Sequence, residues 1–388
     1  MVKAVWEGGF RKAAAVSSLV AILLVGMKTS ARVKLATLPD RAFLSLSLEN
    51  PSRSFVQEER ILTLQAGLNE VDFSWQGVRI DASAVLIEML DHPDSVKLVA
   101  VRYPPGEDAL VWEIVSAEPV TERVRVSYFL NGIRENYSYA AVADTEETRL
   151  DWRQYIRIEN ASGERLENLI VHTGIADPYQ TELEAGEMRK TLVNKERIPL
   201  RKRFVWDAAK KPHDPSKEKK NVGVPIFYVI ENSSAQALGR YPLRAGKVRV
   251  YQEDAHGSNA FLGEDWGRYT PVNGEMEIQV GESRDIVVTR KEISRVRNFE
   301  RRDRDNRVVL YSERSVYEVT IENFRKEECE VRVLDHFSES WSVIESTHPW
   351  EKVDSRTLRF DVPVPAGDSV PLRFTIERRN LVPGGALG

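Results

Sequence analysis

Apolar and polar residues alternate with a period of two through most of this chain, and that alternation constrains the fold more than any other feature. Leu44, Leu46 and Leu48 are separated by Ser45 and Ser47; Tyr317, Val319 and Ile321 are separated by Glu318 and Thr320. Side chains of an extended strand point to opposite faces in turn, so such runs bury one face and wet the other. Further runs at 60–64, 71–73, 85–90, 96–103, 110–115 and 124–130 follow at short intervals, with Gly, Pro or Asp between them. Helical periodicity is weak and confined to 182–193, which reads as a strand-turn pair, and 285–300, which reads as a strand running into a charged hairpin. Strands of this length and spacing predict an all-β fold of two or three tandem β-sandwich (immunoglobulin-like) domains.

Four runs close on Glu-Asn, at Asn50, Asn160, Asn232 and Asn323, and each is followed downstream by Ala-Gly, at Gly67, Gly186, Gly246 and Gly367. Asn tolerates positive φ and hydrogen-bonds its own backbone two residues on, which suits a chain leaving a sheet. Gly supplies similar freedom at the turn before the next strand. The interval from Asn to Gly varies, whereas a solenoid needs a fixed period. The four Asn residues are therefore expected to be strand exits and not a repeated ligand site.

At 388 residues, 42% apolar and 29% charged, the chain is long enough for more than one core. Lys and Arg number 55 against 59 Asp and Glu, for a net charge of −4, so no nucleic-acid partner is expected from the overall balance. Lys3, Arg11 and Lys12 precede the uncharged Ala13–Met27, which is short for a membrane span and suits the apolar region of a signal peptide. Residues 1–31 are read as that leader, with cleavage after Ala31; an uncleaved anchor is the alternative. No membrane span is expected in the mature chain, and the location is periplasmic or cell-envelope associated. The single cysteine, Cys329, alternates with Val331 and Val333 and reads as a small buried hydrophobe.

Domain boundaries are expected near 130 and 290, giving sandwiches at 35–130 and 291–388 around a central β-domain at 131–290. Residues 195–221 hold ten Lys or Arg and four acids, and read as a long basic loop. A docking patch for an anionic envelope polymer is the other reading of that stretch.

Metal-protease, P-loop, nucleophile-elbow and dinucleotide-binding motifs are absent, and the six histidines have no ligand spacing, so no cofactor or metal is expected. The densest polar stretch is 248–270. Glu253, Asp254, Glu264 and Asp265 are its candidate catalytic carboxylates; Tyr251, His256 and Trp266 are its candidate binding residues. Two acidic pairs on neighbouring strands could form a glycosidase dyad or hold Ca²⁺. The plainer reading is a hairpin turning at His256–Asn259 with a solvated acidic rim. Trp75, Trp112, Trp152 and Trp341 lie in alternating runs and are expected in cores, with Trp266 and Trp350 exposed.

The run from Tyr241 to Arg290, YPLRAGKVRVYQED through FLGEDWGRYTPVNGE to VGESRDIVVTR, resembles the bacterial family labelled domain of unknown function 4139, related to the mucoidy-inhibitor-A-like proteins. WRQYIRIENASGERLENLIVHTG upstream and YEVTIENFRKEECEVRVLDHF downstream are similar to it as well. The resemblance implies a β-rich exported or envelope-associated bacterial protein and supplies no catalytic residue. The expected function is thus a non-catalytic interaction or structural module whose partner is an envelope protein or polysaccharide. A carbohydrate-active protein using the acids of 251–269 is the alternative.

Overall fold

The computed structural model describes residues 31–36, 41–210, 221–254, 256–338 and 340–383. The leader therefore lies outside the described residues except for Ala31, as does the 211–220 part of the basic stretch. Strands account for the architecture. The first eight are β1 (Ala31–Ala36), β2 (Phe43–Ser47), β3 (Phe55–Leu64), β4 (Gly67–Ser74), β5 (Leu86–Met89), β6 (Val96–Arg102), β7 (Ala109–Ser116) and β8 (Val120–Phe129). The middle of the chain forms β9 (Ile133–Ala143), β10 (Arg149–Asn160), β11 (Leu166–His172), β12 (Tyr179–Leu183), β13 (Met188–Pro199), β14 (Arg201–Asp207), β15 (Asn221–Glu231), β16 (Gly246–Glu253) and β17 (Asn259–Gly267). The last seven are β18 (Glu275–Arg302), β19 (Val308–Asn323), β20 (Cys329–His336), β21 (Ser340–Ser346), β22 (Glu351–Lys352), β23 (Thr357–Val364) and β24 (Ser369–Leu381). Among the described residues no helix is long and apolar enough to cross a membrane.

The first core lies between a four-stranded sheet, β1-β4-β7-β6, and a six-stranded sheet, β12-β11-β2-β3-β8-β5. Phe73 of β4 packs on Tyr128 of β8 with ring centroids 6.0 Å apart, and Trp75 and Trp112 fill the same core. Glu58 is buried with them. It accepts from Arg60 Nε at 2.7 Å and from the Tyr128 hydroxyl at 3.3 Å, and Arg41 Nε lies 2.6 Å away. Arg41 also pairs with the buried Glu164, so the cluster joins β3 and β8 to the turn after β10.

The other two cores are built around a nine-stranded sheet, β21-β24-β19-β18-β15-β14-β20-β23-β22. This sheet coils on itself: β23 and β24 are remote in strand order, yet Phe360 and Phe374 are 4.9 Å apart across the core. Its β15–β18 portion also packs against a five-stranded sheet, β13-β10-β9-β16-β17, burying Tyr228, Ile230, Met276 and Ile278 against Trp152, Tyr139 and Val248.

The all-β, sandwich-type expectation is met, but the contiguous domain boundaries are not. β11 and β12 return to pair with β2, while β14 and β15 join the sheet of the C-terminal strands, so residues 131–290 contribute to three sheets. Local alternation marks strands but carries no information on which distant edge completes each one. The basic loop needs correction for the same reason. Residues 195–199 end β13 and 201–207 form β14, in which Phe204 and Trp206 are buried, Arg201 on the opposite face is exposed, and Lys202 is half-buried.

Three of the four Glu-Asn exits share one arrangement. The buried Asn160 amide donates to the carbonyls of Glu164, Leu183 and Glu184, and its Oδ1 accepts from Ser162. Asn323 donates to Glu327, Val364 and Pro365 and accepts from Arg325 N–H; Asn232 donates to Tyr241, Thr270 and Pro271 and accepts from Gly239 N–H. Asn160 and Asn323 grip the turns at Gly186 and Gly367, both at positive φ, as expected. Asn232 grips the turn before Gly274 instead, and the turn at Gly67 is held by Asn69. Asn50 is exposed and caps only its own turn, accepting from Ser52 N–H at 2.9 Å.

Candidate functional site

β16 and β17 form the expected hairpin at one edge of the five-stranded sheet. At its tip Asp254 Oδ1 accepts from the N–H groups of His256 at 2.9 Å and Ser258 at 2.8 Å, which fixes the turn. Glu253 stands exposed opposite Asn259. Glu264 accepts from Lys247 Nζ at 2.7 Å and lies 3.3 Å from Arg249 Nε. The Lys247 hydrogen bond and the two positive charges hold its carboxyl below the usual range. Asp265 points to the other face, accepting from Trp266 N–H at 2.7 Å and from Gln279 N–H at 2.8 Å, and so ties β17 to β18.

These placements correct the dyad reading. Adjacent residues on a strand face opposite ways, which separates Glu264 from Asp265. Glu253 and Glu264 share a face, but Glu264 pairs with Arg249, four residues from Glu253, or about 13 Å at the usual rise per residue. That exceeds the spacing of glycosidase carboxylates, about 5–10 Å. Among the described residues no group of three or more His, Cys, Asp or Glu is gathered to hold a metal ion.

Register does bring other residues together. Directly paired residues share a face, and on this sheet the inner members Val248, Tyr139, Trp152 and Ile198 are buried. The outer members form rows across the strands. One row runs Trp266, Lys247, Ser138, Tyr155 and Leu192; the next runs Glu264, Arg249, Ala140, Arg153 and Lys195. A third runs Phe261, Tyr251, Val142, Asp151 and Arg197. Arg157 stands opposite Lys190 at the far end. Beyond Arg134, which pairs with Glu159 at the far end, the central strand β9 presents Asn136, Ser138, Ala140 and Val142 to this face, giving a low floor between walls of longer side chains.

The candidate binding residues thus separate by role. Tyr251 packs edge-on against Phe261 at 5.6 Å, and Trp266 is 56% exposed on the same face, whereas His256 contributes its backbone to the turn. The sequence reading missed Arg153, Arg157, Lys190, Lys247 and Arg249, and placed Lys195 only in the basic loop. Their signal is the alternation itself, as in Trp152-Arg153-Gln154-Tyr155-Ile156-Arg157, but only register shows that these outward positions meet.

Three other places carry chemically distinctive groups. A cavity of about 200 Å³ under the β10–β13 bulge is lined by Gln154, Asp177, Glu196, Asn232, Arg240 and Tyr241. Arg240 and Tyr241 both bond Asp177, at 2.7 and 3.0 Å. Cys329 lines a cleft of about 700 Å³, and burial pushes its thiol up, away from nucleophilic use. His336 Nε2 lies 2.9 Å from Asp207 Oδ1 and its Nδ1 lies 3.3 Å from Thr357 Oγ1. The Thr357 hydroxyl donates to Asp354, so this Asp-His-Thr chain is a joint between strands and not an activated nucleophile.

No family model, curated protein or solved structure matches the chain.

Proposed function

We propose that this chain is a non-catalytic binding and structural module of the bacterial cell envelope, exported by the leader at residues 1–31. The observation that carries the reading is the use made of polar groups in 251–269. Asp254 and Asp265 hold backbone turns and strands, Glu264 is neutralised by two cations, and Glu253 stands about 13 Å from Glu264. A hydrolase needs two convergent carboxyl groups with separated proton affinities. The open outer face of the five-stranded sheet instead offers cations and an exposed indole without a base or nucleophile beside them. The leader pattern and the family resemblance of residues 241–290 support the envelope location.

The test pairs fractionation with catalysis. The full chain expressed in a Gram-negative host is followed through periplasmic release, and the purified protein is incubated with isolated envelope polysaccharide while reducing ends are counted. Periplasmic protein that retains polysaccharide or an envelope protein without releasing reducing ends is the expected result. Time-dependent release that E264Q abolishes, or confinement to the cytosol, overturns the proposal.

A further inference from the structure

We infer that the outer face of the five-stranded sheet binds a linear acidic polysaccharide, its carboxylate or sulfate groups on the arginines of β10 and β16 and a sugar ring on Trp266. This deepens the binding-module reading and rests on it.

Charge is segregated. The chain as a whole carries −4, yet on this face Lys and Arg outnumber the carboxylates Asp151, Glu159, Glu253 and Glu264. Arg153 stands directly opposite Lys195, and Arg157 directly opposite Lys190. Like charges so placed repel across about 5 Å and weaken a sheet. None of Arg153, Arg157 and Lys195 has a carboxylate partner among the described residues, and Arg153 Nε is shielded from water without an acceptor. A fold that keeps such pairs side by side is suited to an anion that bridges them.

Shape narrows the class. The floor of Ser138, Ala140 and Val142 is one strand wide, between walls on β10 and β16 about 10 Å apart, which admits a single extended polymer chain. A single-stranded nucleic acid would need successive open rings to stack its bases. Here the central strand has none, Lys190 Nζ covers the Tyr155 ring at 4.1 Å, and Tyr251 is edge-on to Phe261. Trp266 is exposed at the trough margin beside Lys247, and the exposed Phe261 lies two rows away, too far to continue a stack. A polymer with regular charge and occasional stacking fits this pattern.

Affinity electrophoresis of the full chain through gels containing polygalacturonate tests the inference, with neutral dextran and an oligothymidylate as the other matrices. The polyuronate should retard the protein strongly at low salt and weakly at about 0.5 M, where exposed charges are screened. R153Q/R157Q, which removes two charged contacts, and W266A, which removes one stacking contact, should each weaken retention by about tenfold or more without lowering the melting temperature. E264Q should strengthen it by freeing Lys247 and Arg249. Equal retardation by dextran, stronger retardation by oligothymidylate, or full retention by both weakened variants overturns the proposal. Retention that survives the variants removes this face while leaving a binding module; release of reducing ends removes the module reading itself.

Discussion

A single asparagine can satisfy more backbone than any other side chain its size, because its amide donates twice while its carbonyl accepts. At Asn160, Asn232 and Asn323 that capacity is used to gather carbonyls from turns distant in sequence, and each side chain is buried. Replacing Asn160 or Asn323 by Ala leaves buried carbonyls without donors, which costs about 2–4 kcal/mol. N50A should change stability by no more than about 0.5 kcal/mol, since Asn50 is exposed and caps only its own turn. Urea denaturation of the three variants checks this, and an equal loss for N50A would show that burial is not what distinguishes the exits. Glu187 sits in the same joint as Asn160. Its carboxyl accepts from Glu184 N–H and then from Arg189, and these hydrogen bonds hold it below its usual value of 4.5. A depressed carboxyl stabilises the folded state above its unfolded pKa, and that contribution disappears as pH falls through the folded value. Melting temperature should therefore decline below about pH 4.5, and E187Q should lower it at neutral pH while flattening that decline.

At the scale of elements, sequence shows strands well and their partners poorly. The alternation in 44–48, 124–130 and 317–323 corresponds to real strands, and Trp75, Trp112, Trp152 and Trp341 are buried as alternation predicts. The hairpin at 248–267 was legible from its Gly-containing polar tip. Which turn Asn232 grips was not, because the pairing of β15 with β18 brings Pro271 to it. The cationic face was hidden for the same reason: Arg153 and Arg249 are neighbours only through β9. That junction depends on Gly246, where an added Cβ would lie 2.4 Å from the Tyr137 carbonyl oxygen. G246A should push β16 off β9 and cost about 1–3 kcal/mol, read as a drop in melting temperature and in polyuronate retention together. G281A, with open space around it, should be tolerated.

Across the whole molecule, sheet membership ignores sequence order. Residues 131–290 supply β11 and β12 to the first sandwich and β14, β15 and most of β18 to the last sheet. A fragment cut at 130 and 290 should lack a cooperative denaturant transition, whereas the intact chain should show one. A sharp transition in the isolated fragment would mean that its own sheet is self-sufficient. The buried Glu58 cluster imposes a similar dependence, since Arg41 reaches both Glu58 and Glu164. E58Q should destabilise the chain by about 3–5 kcal/mol by leaving buried arginines uncompensated, again read by urea denaturation.

The return of β11 and β12 to β2 also sets an order of events during synthesis. Until residue 172 has emerged from the ribosome, β2 has β3 on one side and a bare row of peptide groups on the other. Such an edge is a template for joining a second chain. Ser45 and Ser47 lie on that edge strand, and on β3 Glu58 and Glu59 face Leu44 and Phe43, so a nascent chain waiting for its own strand carries polar and acidic groups that discourage pairing with its neighbours on a polysome.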